Sequence, residues 1–337
     1  MEVKMYAWGG SDPGGWRGKG TYDYGSARAR YDKMAASAPT DRSYSRKTTP
    51  NMKLVDPRGK EISTESENPL VIAVDVTGSM SAWPGEIFDR LPLLYQTLGK
   101  YRPDLEIAFA AIGDANSDQY PLQVTDFEKD PSELEKKLKA LGCEGGGGGQ
   151  IKESYELFGY FMLDHCKTPR AKSPFLLIYG DEGFYDEVNP KQVEHFIGDK
   201  IESPLESKAV WQSVMQRFNT YLLQKPYGAD GNATVTKAVR DVWTQTFPQE
   251  RIIELPFEVE MEDKKKMPGY QRAVDIGVGL IAKQWGEYRD FGKSLDARHD
   301  DKSVKEAVHN SLRFIDADPT VKSVMSTSKK SKLTKSL

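Results

Sequence analysis

The chain has 337 residues, a formal net charge of −3 and a mean hydropathy of −0.61, with 38% apolar and 29% charged residues. This composition excludes a wholly disordered chain, and no run approaches the ~18–20 apolar residues of a membrane-spanning helix. The weak negative charge gives no global field that would draw the protein onto nucleic acid. Two cysteines, Cys143 and Cys166, exclude a disulfide framework, and the N-terminus has no apolar signal core. We therefore expect a soluble cytoplasmic protein with no membrane partner.

Composition along the chain predicts three regions. Residues 1–65 form an irregular extension rich in Gly, Tyr and Trp, residues 66–295 form one folded domain, and residues 296–337 form a helix followed by a disordered Lys/Ser-rich tail. The aromatic residues of the extension alternate with arginines, which is compatible with stacking on single-stranded nucleic acid or on a partner. We favour the simpler interpretation, in which they pack on the chain's own domain.

Hydrophobic periodicity predicts alternating strands and helices between these ends. Apolar runs predict strands at 69–74, 105–112, 122–127, 175–179, 220–223 and 251–255. Apolar stripes and capping residues predict helices from about 86, and at 130–142, 152–165, 190–197, 206–218, 235–247 and 272–291. The short connection after the second strand favours antiparallel pairing there. The fold class is therefore α/β, a doubly wound, mostly parallel sheet with one antiparallel strand.

Polar side chains follow three of these strands, at the point where each strand ends. Asp75, Thr77 and Ser79 lie on a glycine-containing turn after the first strand, Asp114 follows the second, and Asp181 follows a later one. Carboxyl ends of parallel strands meet at one edge of a sheet, which favours a shared site. Carboxylate and hydroxyl oxygens are the ligands that Mg²⁺ prefers, with Mn²⁺ and Ca²⁺ as alternatives. The simpler alternative is a hydrogen-bonded turn that opens a helix.

The spacing Asp75-x-Thr77-x-Ser79 resembles the signature of the metal-ion-dependent adhesion site in von Willebrand factor A (vWA) domains. The order of elements agrees with that family over residues 69–290. The resemblance implies that Asp75, Thr77, Ser79 and Asp181 hold one divalent cation. The family's second-loop threonine is missing, because the glycine run 145–149 is followed by Gln150.

Gln150 and Glu153 are candidates to replace the missing second-loop threonine, and the alternative is that Asp114 completes the coordination shell. The glycine run also invites comparison with phosphate-binding loops, but the sequence GxxxxGK[ST] is absent. Beside the proposed site, the acidic segment 181–187 contains Phe184 and Tyr185. We predict that these two aromatics anchor a partner on a rim of the site, the alternative being a solvated loop.

The favoured function is metal-dependent binding of a protein partner, whose acidic side chain completes the coordination of the ion. The resemblance implies an intracellular adaptor in a multiprotein assembly, with AAA-type ATPase complexes as one class of partner. One alternative is a metal-assisted phosphoryl or phosphodiester hydrolase that uses Asp75, Asp114 and Asp181. No general base is evident for that chemistry, so we predict no enzyme activity. Another alternative is a structural subunit of a large particle, held by the two terminal segments.

Overall fold

A computed structural model describes residues 49–80, 82–143, 151–228 and 230–316. Most of the aromatic extension, residues 1–48, and the basic tail lie outside the described residues, as do the glycine run and Gln150. The predictions made for those segments therefore stay predictions. The structural statements that follow concern the described ranges alone.

Short and long strands alternate with helices along these ranges. The strands are β1 (Ile62–Ser63), β2 (Pro69–Asp75), β3 (Glu106–Ile112), β4 (Leu122–Val124), β5 (Lys152–Glu153), β6 (Cys166–Lys167), β7 (Phe175–Gly180), β8 (Gly183–Phe184), β9 (Glu187–Val188), β10 (Leu205–Glu206), β11 (Asn219–Gln224), β12 (Ile252–Glu254), β13 (Glu258–Glu260) and β14 (Lys266–Pro268). The helices are α1 (Met52–Val55), α2 (Trp83–Tyr101), α3 (Pro131–Ala140), α4 (Tyr155–Asp164), α5 (Pro190–Gln192, continued by a π turn at Val193–Ile197), α6 (Ser207–Arg217), α7 (Ala233–Thr244), α8 (Tyr270–Gln284), α9 (Tyr288–Arg298) and α10 (Lys302–Ser311).

A six-stranded sheet forms the centre of the fold, with the strand order β12-β11-β7-β2-β3-β4. All neighbouring strands are parallel except β3 and β4, which are antiparallel. This confirms the predicted fold class and the position of its one antiparallel strand. Every residue of β2 is buried, as the apolar run predicted for a strand covered on both faces.

Helices cover both faces of the sheet. Side chains of α2, α3, α8, α9 and α10 pack with Leu70, Ile72 and Val74 of β2 on one face. Side chains of α4, α6 and α7 pack with Val71 and Ala73 of the same strand on the other face. The strand order reverses between β2 and β7, because β3 follows β2 on one side and β7 is added on the other. Ligands of doubly wound sheets bind at this kind of reversal, outside the carboxyl ends of the strands.

The long helix predicted at 272–291 is two helices, α8 and α9. The break falls at Gly286, whose φ of 76° is a left-handed conformation that glycine adopts without strain. Glu287 donates its backbone N–H to the carbonyl of Ala282 at 2.7 Å, which closes the end of α8. The helix predicted from residue 152 also begins later, at Tyr155, because Lys152–Glu153 pair with Gly183–Phe184 as a short strand.

Packing continues beyond the predicted domain bounds at both ends. Before residue 66, β1 pairs in parallel with β6, and Val55 of α1 is buried in the core. After residue 295, Val308 of α10 and the following Leu312 are buried against the same core. Both cysteines are buried free thiols, and no helix in the described ranges is long and apolar enough to cross a membrane.

A buried ion network joins α8 to α9. Asp275 accepts hydrogen bonds from Arg272 at 2.7 Å and from Arg298 at 2.5 Å, and its side chain is 4% exposed. Burial alone would raise the pKa of Asp275, but Arg298 and Arg272 outweigh it and hold the pKa well below its usual range. The ionised carboxylate is therefore part of the packing between these two helices.

We expect Asp275→Asn to lower the free energy of unfolding by about 3–5 kcal/mol, because two buried guanidinium groups lose their counter-charge. The contribution of Asp275 is fully present above its ordinary pKa of 3.8 and is lost as the pH falls below that value, since the folded-state pKa is depressed. Urea unfolding at pH 7 and at acid pH measures both effects. The control is Asp241→Asn, which breaks the exposed pair with Lys237 and costs under about 1 kcal/mol. Equal losses in the two variants would contradict a structural role for the network.

Candidate metal centre

Four charged side chains follow four adjacent strands at the carboxyl edge of the sheet. In sheet order from β11 to β3 they are Lys225, Asp181, Asp75 and Asp114. The strand register places Lys225 beside Asp181, because Gln224 pairs with Gly180, whereas Asp75 pairs with Ile112, two residues before Asp114. The fold therefore gathers residues that are up to 150 positions apart in the sequence.

The turn after β2 is organised by its own hydrogen bonds. Asp75 Oδ1 accepts from the backbone N–H of Thr77 at 2.9 Å and from its hydroxyl at 2.6 Å. A 3₁₀ turn over Gly78–Met80 then carries the chain into α2. Asp75 and Thr77 are buried, whereas Ser79 is half-buried. Among these three side chains, Ser79 is the one that is partly exposed to solvent.

Ser79 connects this turn to the loop after β7. Its hydroxyl donates to Asp181 Oδ1 at 2.8 Å and lies 3.3 Å from the hydroxyl of Thr77. Asp75, Thr77, Ser79 and Asp181 therefore form one hydrogen-bonded series of oxygen atoms. The structure brings together the four residues that the resemblance implied.

Tyr155, the first residue of α4, holds the other oxygen of Asp75. Its hydroxyl donates to Asp75 Oδ2 at 2.6 Å. Burial, and then the charge of Asp75, raise the pKa of Tyr155, so the phenol keeps the proton that it donates. A Cβ at Gly180 would lie 2.0 Å from this hydroxyl, which explains why β7 ends in glycine. The close approach of strand and phenol fixes the orientation of the Asp75 carboxyl group.

A buried lysine lies on the far side of Asp181. Lys225 Nζ donates to Asp181 Oδ2 at 2.6 Å, to the carbonyl of Ser79 at 2.9 Å and to the carbonyl of Gly228 at 2.9 Å. The side chains of Lys225 and Asp181 are 1% and 0% exposed. The centre therefore contains a cationic group of its own.

Two further carboxyl groups, Glu153 and Glu182, are buried beside the series. Burial, Asp75 and Glu182 raise the pKa of Glu153 to about 12, and burial followed by Asp181 raises the pKa of Glu182 to about 7. Burial, Asp181 and Glu182 raise the pKa of Asp75 to about 8. More carboxyl groups are gathered here than Lys225 alone can neutralise, so their mutual repulsion adds to the effect of burial on each pKa.

Asp114 is buried but belongs to a neighbouring hydrogen-bond set. Its Oδ1 accepts from the backbone and the side chain of Asn116, both at 3.0 Å, and from Ser154 at 3.4 Å. Tyr185 OH lies 3.2 Å from both carboxylate oxygens. Asp114 thus lines the centre on the β3 side without a direct hydrogen bond to Asp75 or Asp181 among the described contacts.

The two aromatics predicted for a rim differ in their positions. Phe184 is 2% exposed because its ring packs edge-to-face on Trp243, with the ring centroids 4.9 Å apart, so it belongs to the core and not to an exposed rim. Tyr185 is half-buried, and its backbone N–H donates to Glu156. The alternation of side chains along β8 and the following residue explains the difference. The partner-facing role of Tyr185 stays a prediction.

The donor atoms fit a hard divalent cation. Adjacent ligands in an octahedron with bonds of about 2.1 Å are about 3 Å apart, and the Thr77–Ser79 and Ser79–Asp181 oxygen separations are 3.3 and 2.8 Å. Glu153 Oε2 and Glu182 Oε2 are buried without a hydrogen-bond partner among the described residues. No group of three His, Cys, Asp or Glu side chains in these ranges is placed to hold a metal. The hydroxyls of Thr77 and Ser79 are therefore candidate ligands alongside the carboxylates.

Three contributors to the centre, Lys225, Tyr155 and Glu182, were not predicted as site residues. A signal for Lys225 exists in the sequence, because it directly follows an apolar strand, as Asp75 and Asp181 do. Tyr155 and Glu182 carry no such signal, because their roles depend on the packing of α4 and on the loop after β7. Glu153, a candidate second-loop ligand, lies buried in the centre and faces Glu182.

Comparison with known proteins yields structural likenesses alone. No protein-family model matches the chain, and no curated protein matches it. The pilus adhesin SpaC from Lactobacillus rhamnosus GG, in its open conformation, is similar with a TM-score of 0.45 and 12% identity over 69% of this chain and 31% of the adhesin. The SpRpn10 VWA domain is similar with a TM-score of 0.35 and 10% identity over 62% of this chain and 94% of that domain. The chain spans about a third of the adhesin, and similarities of this size assign no activity.

We expect Tyr155→Phe to lower the free energy of unfolding by about 1–3 kcal/mol, because Asp75 Oδ2 is left buried without its donor. The matched control is Tyr160→Phe on the same helix. Tyr160 OH donates at 2.8 Å to Asp199, whose side chain is 35% exposed, so water replaces the lost donor. Chemical denaturation of the three proteins measures the difference. If Tyr160→Phe lowered the free energy of unfolding as much as Tyr155→Phe, the hydrogen bond to Asp75 would contribute no more to stability than an exposed one.

Proposed function

We propose that the chain is a vWA-type module that binds protein partners through one divalent cation, Mg²⁺ in the first instance. The observation that supports this most directly is the hydrogen-bonded series Asp75–Thr77–Ser79–Asp181 at the reversal point of the sheet. Its one half-buried member, Ser79, lies on the solvent side, where a ligand from another protein can approach.

Each residue of the series has a distinct part in this proposal. The hydroxyls of Thr77 and Ser79 bind the cation directly, while Asp75 and Asp181 supply negative charge and orient those hydroxyls through hydrogen bonds. Tyr155 holds Asp75 in place. When bound, the cation supplies an open coordination position that attracts a carboxylate. A partner with an exposed Asp or Glu side chain is therefore the expected ligand.

The chemistry proposed is binding without catalysis. Histidine is the usual general base, and three of the four histidines, His165, His299 and His309, hydrogen-bond to Asp199, Arg272 and Tyr288 rather than to residues of the centre. The fourth, His195, packs edge-to-face on Phe196. The adaptor role, the cytoplasmic location and the AAA-type ATPase complex as partner extend this proposal from the sequence resemblance.

Metal binding should stabilise the protein, because the cation neutralises carboxyl groups that otherwise repel each other or hold protons. Saturation at about 100 times the dissociation constant contributes roughly 2.7 kcal/mol to the free energy of unfolding. Thermal unfolding with and without Mg²⁺ or Mn²⁺ measures the effect. Ser79→Ala should abolish it, whereas Ser213→Ala, which removes a hydroxyl bonded to a helix carbonyl on α6, should leave it unchanged. A melting temperature that neither cation raises would contradict the proposal.

Partner binding should require the cation. Proteins retained on the immobilised full-length chain in Mg²⁺ should be released by EDTA, and they should not bind to Asp75→Asn, which keeps the side-chain volume but removes the charge. Retention is quantified by mass spectrometry, and circular dichroism verifies that the variant is folded. The matched control is Asp241→Asn on the surface of α7, which should retain the same proteins. Partners that stay bound in EDTA would place recognition elsewhere on the chain.

A further inference from the structure

The ammonium group of Lys225 is held entirely by the candidate metal centre. It is 1% exposed, and its three protons are directed to Asp181 Oδ2, to the Ser79 carbonyl and to the Gly228 carbonyl at 2.6–2.9 Å. A buried ammonium of this kind is stable because each of its protons has an acceptor and one acceptor is a carboxylate. Lys225 therefore contributes the positive charge of the centre in this structure.

The ammonium group of Lys225 lies where it would repel a divalent cation bound at the centre. Asp181 accepts from Lys225 through Oδ2 and from Ser79 through Oδ1, so both of its oxygens are engaged. A divalent cation held by Ser79 and oriented by Asp181 would lie close to this ammonium, and like charges at short range in a buried site repel strongly. The two cations therefore compete for the same carboxylate.

A cavity next to Lys225 provides space for its side chain to move. The cavity has a volume of about 230 Å³ and is lined by Lys225 together with Trp83, Gly228, Glu258 and Tyr270, among others. Nζ of Lys225 already lies 5.9 Å from the centre of the Trp83 ring, within reach of a cation–π contact. An ammonium released from Asp181 would find the aromatic face of Trp83 along the wall of this cavity, where Glu258 is already paired with Lys266.

We propose that Lys225 is a built-in counter-ion that occupies the centre in the metal-free protein and leaves Asp181 when a divalent cation binds. The inference rests on the proposed function for the identity of the competing ion. Lys225 then sets the affinity for metal, because part of the binding free energy is used to displace it. The same exchange releases the carbonyl of Gly228, so the loop at 225–228 changes its contacts when metal binds.

The decisive experiment compares Mn²⁺ and Mg²⁺ binding by isothermal titration calorimetry in the full-length wild type and in Lys225→Met. Methionine has a similar length but no charge, so the variant should bind Mn²⁺ at least about tenfold more tightly, since no ion pair has to be broken. In EDTA the variant should melt well below the wild type, because Asp181 loses its counter-ion. Mn²⁺ should remove this difference in melting temperature. Lys237→Met, on an exposed lysine of α7, should match the wild type in both measurements.

A second variant, Lys225→Gln, keeps a hydrogen-bond donor without the charge and gives the same comparison if Lys225→Met does not fold in EDTA. Equal metal affinities in the wild type and in both variants would overturn the inference and leave the proposed function intact. Binding by the variants, with none by the wild type up to about 10 mM cation, would support the inference and overturn metal-dependent binding by the natural chain. Absence of binding in all of these proteins would overturn both.

Discussion

The arrangement of the centre depends on one constraint, which is that buried carboxyl groups need a compensating charge or a proton. Asp75 and Asp181 are both 0% exposed, and Glu153 and Glu182 are almost as deeply buried. One buried lysine supplies a single positive charge. The raised pKa values of Asp75, Glu153 and Glu182 are the remaining part of that compensation.

The doubly wound sheet explains why such a costly cluster is possible. Parallel strands bring their carboxyl ends to one edge, and helices pack on both faces of the sheet beside that edge. Interactions that lie outside the cluster hold its members in place. The hydroxyl of Tyr155 on α4 donates a hydrogen bond to Asp75, and Gly180 has no side chain that would clash with this hydroxyl. The fold, and not the cluster, supplies the energy that keeps these groups together.

Either Lys225 or a divalent cation can balance the negative charge of Asp181. Lys225 donates one hydrogen bond to Asp181 and one each to the carbonyls of Ser79 and Gly228, whereas a cation would be bound by the hydroxyls of Thr77 and Ser79 together with the surrounding charge. A centre that can exchange one for the other has two charge states and two arrangements of the loop at Gly228. This would connect the recognition of a partner to the ionic composition of its surroundings.

The sequence by itself determined the fold class, because apolar runs and stripes report which faces of each strand and helix are buried. It also placed Asp75, Thr77, Ser79 and Asp181 at strand ends, where parallel topology brings them close. Only the tertiary structure decided which groups surround them, since Lys225 follows β11, Tyr155 lies on α4 and Glu182 adds a further carboxyl group from the loop after β7. Hydrogen bonds between residues far apart in the chain leave no periodic trace, so their partners emerge only when the elements pack. For the same reason Phe184 was expected on a rim, whereas contact with Trp243 of a distant helix buries it.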